Sequence, residues 1–90
     1  MIRPSPNDGD SITVALQALA VSLGDENRAS RLLSLTGLTP DDLREWAADP
    51  AVLVAVLRFL EDHEPDLVAV ADTLGIKPQE LVAARNALEA

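Results

Sequence analysis

Ninety residues carrying a net charge of −8 and 48% apolar side chains fit one domain with a thin stability margin; a chain this short buries only about 60–65% of its unfolded surface. The charge repels phosphate backbones and anionic lipid headgroups, so neither nucleic acid nor a membrane is an expected partner. The absence of cysteine excludes disulfides, thiol nucleophiles and Cys-type zinc sites, and it fits a cytoplasmic setting.

Residues 1–10 hold no apolar stretch of the kind found in signal or transit peptides, and they read as a flexible N-terminal tail ahead of a single helical domain spanning 11–90. The first predicted helix starts at Asp10 or Ser11 and ends near Gly24, with Ile12, Ala15, Leu16, Leu19 and Leu23 at helical spacing. Its other side carries Val14, Ala18 and Val21, a second apolar strip that is hard to absorb in so small a body. Either this helix is fully buried or the strip is a candidate interaction surface for another chain.

The second helix opens at Asp25, an N-cap, with Glu26 in its first turn. Its stripe is Ala29, Leu32, Leu33 and Thr36 before Gly37 stops it, with Arg28 and Arg31 expected to face out. The third opens with Thr39 as cap, Pro40 at the first helical position and Asp42 three residues past the cap, and it is expected to bury Leu43, Trp46 and Ala47. Asp49 and Pro50 start a fourth, running to about Asp62 and apolar on every face except that of Arg58, which places it centrally. Its longest apolar run, Ala51 to Leu60, is ten residues, against the about 20 of a membrane span.

A fifth helix opens near Glu64 with Pro65, carries Leu67, Val70, Ala71 and Leu74, and ends at Gly75. A sixth opens at Lys77 with Pro78 and buries Leu81, Ala84 and Leu88. The connections are short, so the expected fold is all-α: a compact bundle of five or six short helices, with two helix-turn-helix hairpins around an apolar central helix.

One turn is written twice. At an offset of 38 residues, Gly37, Leu38, Pro40, Asp42 and Leu43 fall on Gly75, Ile76, Pro78, Glu80 and Leu81. Each position has a job: Gly ends a helix in the left-handed conformation, the next apolar side chain plugs the corner, Pro presets the new helix, and the acid favours its N-terminus. Duplication and convergence on one corner grammar both account for the match.

Four candidate sites are weighed against plainer readings. The second corner has the small, Gly and apolar positions of a DNA-reading helix-turn-helix, but the face it would present is Lys77, Gln79, Val82, Ala83 and Asn86 beside Glu80, with Arg85 the one further cation. That is far short of the phosphate contacts that supply affinity. Glu61, Asp62, His63, Glu64 and Asp66 form an acidic cluster with the only histidine; capping of adjoining helix ends explains it better than a metal does. The serines lack a general base other than His63, and no phosphate loop or nucleophile elbow is present, so no enzyme and no cofactor are expected. Trp46, three residues past Leu43, is expected to anchor the core rather than a partner.

From residue 12 onward the chain resembles a family of short bacterial proteins, a domain of unknown function seen mainly in alphaproteobacteria. The residues that carry the likeness are Leu16-Gln17-Ala18-Leu19-Ala20, then Leu35-Thr36-Gly37-Leu38 with Pro40 and Asp42-Leu43-Arg44. They continue with Asp49-Pro50, Leu53, Val56-Leu57 and Phe59-Leu60, and close with the block from Gly75 to Leu88. The resemblance implies a small helical intracellular protein and brings no activity or site residues. Together the residues lead to a non-catalytic module for protein–protein interaction or self-association, with an unidentified protein or a second copy as partner; the alternative is a transcription-associated helix-turn-helix protein.

Overall fold

The computed structural model describes residues 6–90, with side chains from Asp10 onward. Among these residues there are six helices and no strand: α1 (Pro6–Leu23), α2 (Glu26–Thr36), α3 (Pro40–Trp46), α4 (Pro50–Asp62), α5 (Glu64–Leu74) and α6 (Pro78–Glu89). The all-α bundle expected from the punctuation is what the chain forms. One boundary differs: α1 begins at Pro6, inside the stretch read as a tail. Proline supplies a helical φ at a first position, which favours an earlier start. The remainder of the expected tail, residues 1–5, lies outside the described residues.

The caps form as the side chains dictate. Asp25 accepts a hydrogen bond from the Arg28 backbone N–H at 2.9 Å, and the Asp49 carboxylate accepts one from the Ala51 N–H at 2.8 Å. At the two repeated corners Gly37 and Gly75 adopt φ values of 76° and 72°, and each hands its N–H back to a carbonyl of the helix it ends. One residue later, Leu38 and Ile76 pack half-buried against the core. Two residues further on, Pro40 and Pro78 open the new helices. Asp42 and Glu80 then reach back to the backbone N–H groups of Thr39 and Lys77, at 3.0 and 2.8 Å.

The correspondence extends well beyond the corners. At the same offset of 38 residues, the bounds of α2 fall on those of α5, and both helices are 11 residues long. In α1 four of the five described buried positions, Ala15, Ala18, Leu19 and Ser22, fall on Leu53, Val56, Leu57 and Leu60, all buried in α4. The chain is thus two three-helix units, α1–α2–α3 and α4–α5–α6. Contacts among the first two helices of each unit are reciprocal: α1 packs on α5 as α4 packs on α2, and α1 and α4 pack on each other. That much follows an approximate two-fold relation, which the third helices do not share.

The core lies between α1 and α4. α4 buries Leu53, Val56, Leu57, Phe59 and Leu60, more apolar side chains than any other helix, and Ala51, Arg58 and Asp62 form its exposed side. α1 shares the centre with it. Ala15 and Ala18 are small enough to let neighbouring helices approach closely, and Ser22, fully buried, donates its hydroxyl to the Ala18 carbonyl at 2.7 Å.

The two units part company at their third helices. α6 packs extensively along both α1 and α4, whereas α3 packs closely on no other helix. Two physical differences account for this. After α3 the chain must start a new helix at Asp49-Pro50, which limits α3 to seven residues, while α6 runs for twelve. And Trp46 stands at the position equivalent to Ala84: the Ala is 4% exposed against its neighbours, while the Trp is 54% exposed. The expectation that Trp46 anchors the core is therefore corrected; Leu43 alone of α3 is buried, with Ala47 just beyond it packed at the edge.

Candidate interaction surface

The strip expected to offer a surface, Val14, Ala18 and Val21, is instead drawn into the fold. Ala18 is fully buried, and Val14 and Val21 are half-buried against the core. Of the two alternatives for the first helix, burial is the one that forms. α6 covers the Val14 side, with Ala83, Ala84 and Ala87 facing Asp10, Ser11 and Val14 across a shallow cleft.

The acidic cluster at the α4–α5 corner disperses into separate structural tasks. His63 terminates α4: its Nδ1–H donates to the Phe59 carbonyl at 2.9 Å, and its ring lies 4.9 Å from that of Phe59. Glu61 accepts a hydrogen bond from Arg85 of α6. Glu64 provides no cap, since no side chain caps α5. Among the described residues no three of His, Asp and Glu stand close enough to hold a metal ion.

Asp66 is the one member that turns inward, at 5% exposure. It accepts hydrogen bonds from Arg28 Nε at 3.0 Å and from Arg31 Nη1 and Nη2 at 2.5 and 3.1 Å. The expectation that Arg28 and Arg31 face out is corrected for Arg28, which is largely covered; Arg31 stays exposed, and both guanidinium groups reach across to the same carboxylate, 38 and 35 residues away. Burial pushes the Asp66 carboxyl up, but the hydrogen bonds and charges of Arg31 and Arg28 outweigh it and hold it below the usual carboxylate range. Residues 28 and 66 are equivalent positions of the two units, so this pair sits where the units face each other. The sequence signal was available: the offset that aligns the corners, applied upstream, sets Arg28 over Asp66.

The α5–α6 corner has the shape of a helix-turn-helix without the charge. Arg85 is engaged by Glu61 and Glu89, and Glu80 folds onto the Lys77 backbone, which leaves Lys77 as the sole unpaired cation that the corner can offer.

At the corresponding corner of the first unit, Leu23, Leu33, Pro40, Leu43 and Arg44 line an open apolar groove of about 320 Å³ between the ends of α1, α2 and α3. The equivalent corner of the second unit is closed in part. There Ala71 and Leu81, equivalent to Leu33 and Leu43, are fully buried, and Glu61 pairs with Arg85 at the edge, while Pro78 and Val82 line an open groove of about 340 Å³ with Leu67 and Val68. In the first unit those two edge positions are Leu23 and Ala47. Leu23 is 41% exposed, and Trp46, also exposed, stands on α3 three residues past Leu43. Among the described residues four large apolar side chains are exposed, and Leu23, Leu35 and Trp46 of the first unit are three of them. Sequence reasoning missed this groove because it assigned Trp46 and Leu23 to the core by spacing alone.

Among the described residues no helix is long and apolar enough to cross a membrane. A family model described as "Protein of unknown function (DUF3572)" matches residues 9–90, from three residues ahead of the stretch in which the resemblance was recognised. Neither a curated protein nor a solved structure matches the chain.

Proposed function

The chain belongs to this family, and we propose that it serves as a non-catalytic protein-interaction module that receives another protein chain at the α1–α2–α3 end. The observation that carries the reading is that three of the four exposed large apolar side chains among the described residues, Leu23, Leu35 and Trp46, belong to this unit, with Leu23 lining its open groove. Patches of this kind on small soluble domains are where partners bind. A tryptophan half in water is the residue type that most often anchors such contacts.

The polar side chains point the same way, since the groups that would do chemistry are occupied holding the fold. Every described arginine is paired with a carboxylate, and no described buried side-chain nitrogen or oxygen lacks a hydrogen-bond partner. A cytoplasmic setting belongs to this reading: the chain has no cysteine, and an exposed apolar corner serves a partner met in solution. A DNA-reading role has only the shape of the α5–α6 corner in its favour and is not adopted.

The test is affinity capture from native lysate with the unaltered protein and with a Leu23→Glu, Trp46→Ala double variant, both shown folded by circular dichroism. Loss of specific captured proteins in the variant is the expected result. The same proteins captured by both would overturn the assignment of this surface.

A further inference from the structure

The packing of the helices runs mainly between the two units rather than within them. α6 lies along both α1 and α4, α1 packs on α4 and α5, and α4 packs on α2. Neither unit therefore closes a core alone: α4, with Leu53, Val56, Leu57 and Leu60 fully buried, is covered from the other unit by α1 and α2.

One connection, Ala47 to Asp49, joins the units. It follows a helix that packs closely on no other, and Ala47 and Asp49 hold ordinary helical and extended backbone angles, with φ of −55° and −69°. Swinging this connection open gives up the edge contact of Ala47 and requires no backbone conformation that a side chain resists.

The partner of a unit can therefore be the complementary unit of another copy. When two opened chains meet, α1–α2–α3 of one packs with α4–α5–α6 of the other, and the contacts of the closed chain re-form in two composite bodies. The pairing is directional, because Asp66 of a second unit is held by Arg28 and Arg31 of a first. Within one chain the short connection keeps the complementary unit at an effective concentration on the order of millimolar, so the closed monomer prevails in dilute solution.

We propose that the protein forms an exchanged dimer with a second copy of itself, hinged at Ala47–Asp49, in which the two units of each chain belong to different bodies. The units separate only when their common core comes apart, so the dimer forms as chains fold and then persists. Leu23 and Trp46 stay exposed in it, which makes the dimer independent of the docking surface above.

The experiment uses full chains in about 0.15 M salt, where the repulsion between two copies of net charge −8 is screened beyond about 8 Å. The natural chain is unfolded in urea, refolded at about 1 µM or about 1 mM, below and at the effective concentration of the linked units, and then diluted in the cold for light scattering. The expected results are a monomer from the first and, from the second, a dimer that survives dilution.

Charge reversal separates exchange from surface association. Asp66→Arg sets like charges together in one chain, and Arg28→Asp with Arg31→Asp does so in another; in a mixed dimer one body regains the natural pairing and the other carries it reversed. Refolded together, the two variants should give at least about tenfold more dimer than either gives alone. Where a variant alone fails to fold, recovery of helical circular dichroism on co-refolding reports the same exchange. A natural chain that stays monomeric at both concentrations would overturn the proposal, as would variants that gain nothing from each other. A dimer that appears on mixing folded chains and vanishes on dilution would overturn it too, since that is a contact between surfaces.

Discussion

The two halves of the molecule follow one set of local instructions and reach different ends. α1 and α4 share four buried positions, α2 and α5 share their length, and both corners are built from Gly, an apolar plug, Pro and a back-reaching acid. Yet α6 lies down between α1 and α4, and α3 stands off. Corner residues determine where a helix stops and the next begins; they leave open how closely the next one docks. That is decided by the side chains brought into contact, an Ala where α6 docks and a Trp where α3 stands off, and by whether the chain must turn again at once.

The strongest way to break the comparison is to attack the point where the halves meet. Asp66→Asn leaves two arginines without their shared carboxylate, and urea unfolding should register a loss of about 1–2 kcal/mol, since the arginines left behind keep access to water. The same site governs acid sensitivity. Because the folded Asp66 is held below its ordinary value, its contribution is fully present above the unfolded pKa, about 3.9, and is lost as pH falls through the folded one. Stability measured between pH 6 and pH 3 should fall more steeply in the natural protein than in Asp66→Asn.

The next test exchanges the residues that distinguish α3 from α6. Ala84→Trp forces a large ring into a closed contact, and thermal or urea unfolding should show about 2 kcal/mol of destabilisation. Trp46→Ala should stay within about 0.5 kcal/mol, since the ring it removes is half in solvent. If both cost the same, α3 packs as α6 does and the contrast fails. A smaller effect sharpens the likeness: Gly37→Ala and Gly75→Ala each put a Cβ on a left-handed residue with open space around it, so each should cost about 1 kcal/mol and the two should agree. Differential scanning calorimetry of the pair is sufficient.

Most of the fold was legible because it is locally encoded. The bounds of α2 through α6 follow from Asp25, Gly37, Thr39-Pro40, Asp49-Pro50, Pro65, Gly75 and Pro78, residues that act on backbone within a turn of themselves. The start of α1 is not legible because residues 6–10 hold no apolar stretch from which helical spacing could be read. The candidate surface was misplaced for a different reason. Whether Val14 faces a neighbour or solvent depends on α6, about seventy residues along the chain, and helical spacing carries no information about that. Arg28 looked outward for the same reason: its carboxylate lies on α5. Trp46 fell on the buried side of α3 by period, and only the failure of that helix to dock leaves it in water.

The contact between positions 28 and 66 carries one more consequence. A residue near a two-fold axis meets its own copy, so two separate identical chains would set arginine against arginine there, or aspartate against aspartate. Only a polypeptide that holds both units can write opposite charges at the same address. Covalent linkage thus does more for this molecule than raise the local concentration of its halves. It converts a position condemned to self-repulsion into a lock whose two sides differ, and it commits each half to the other rather than to a duplicate of itself.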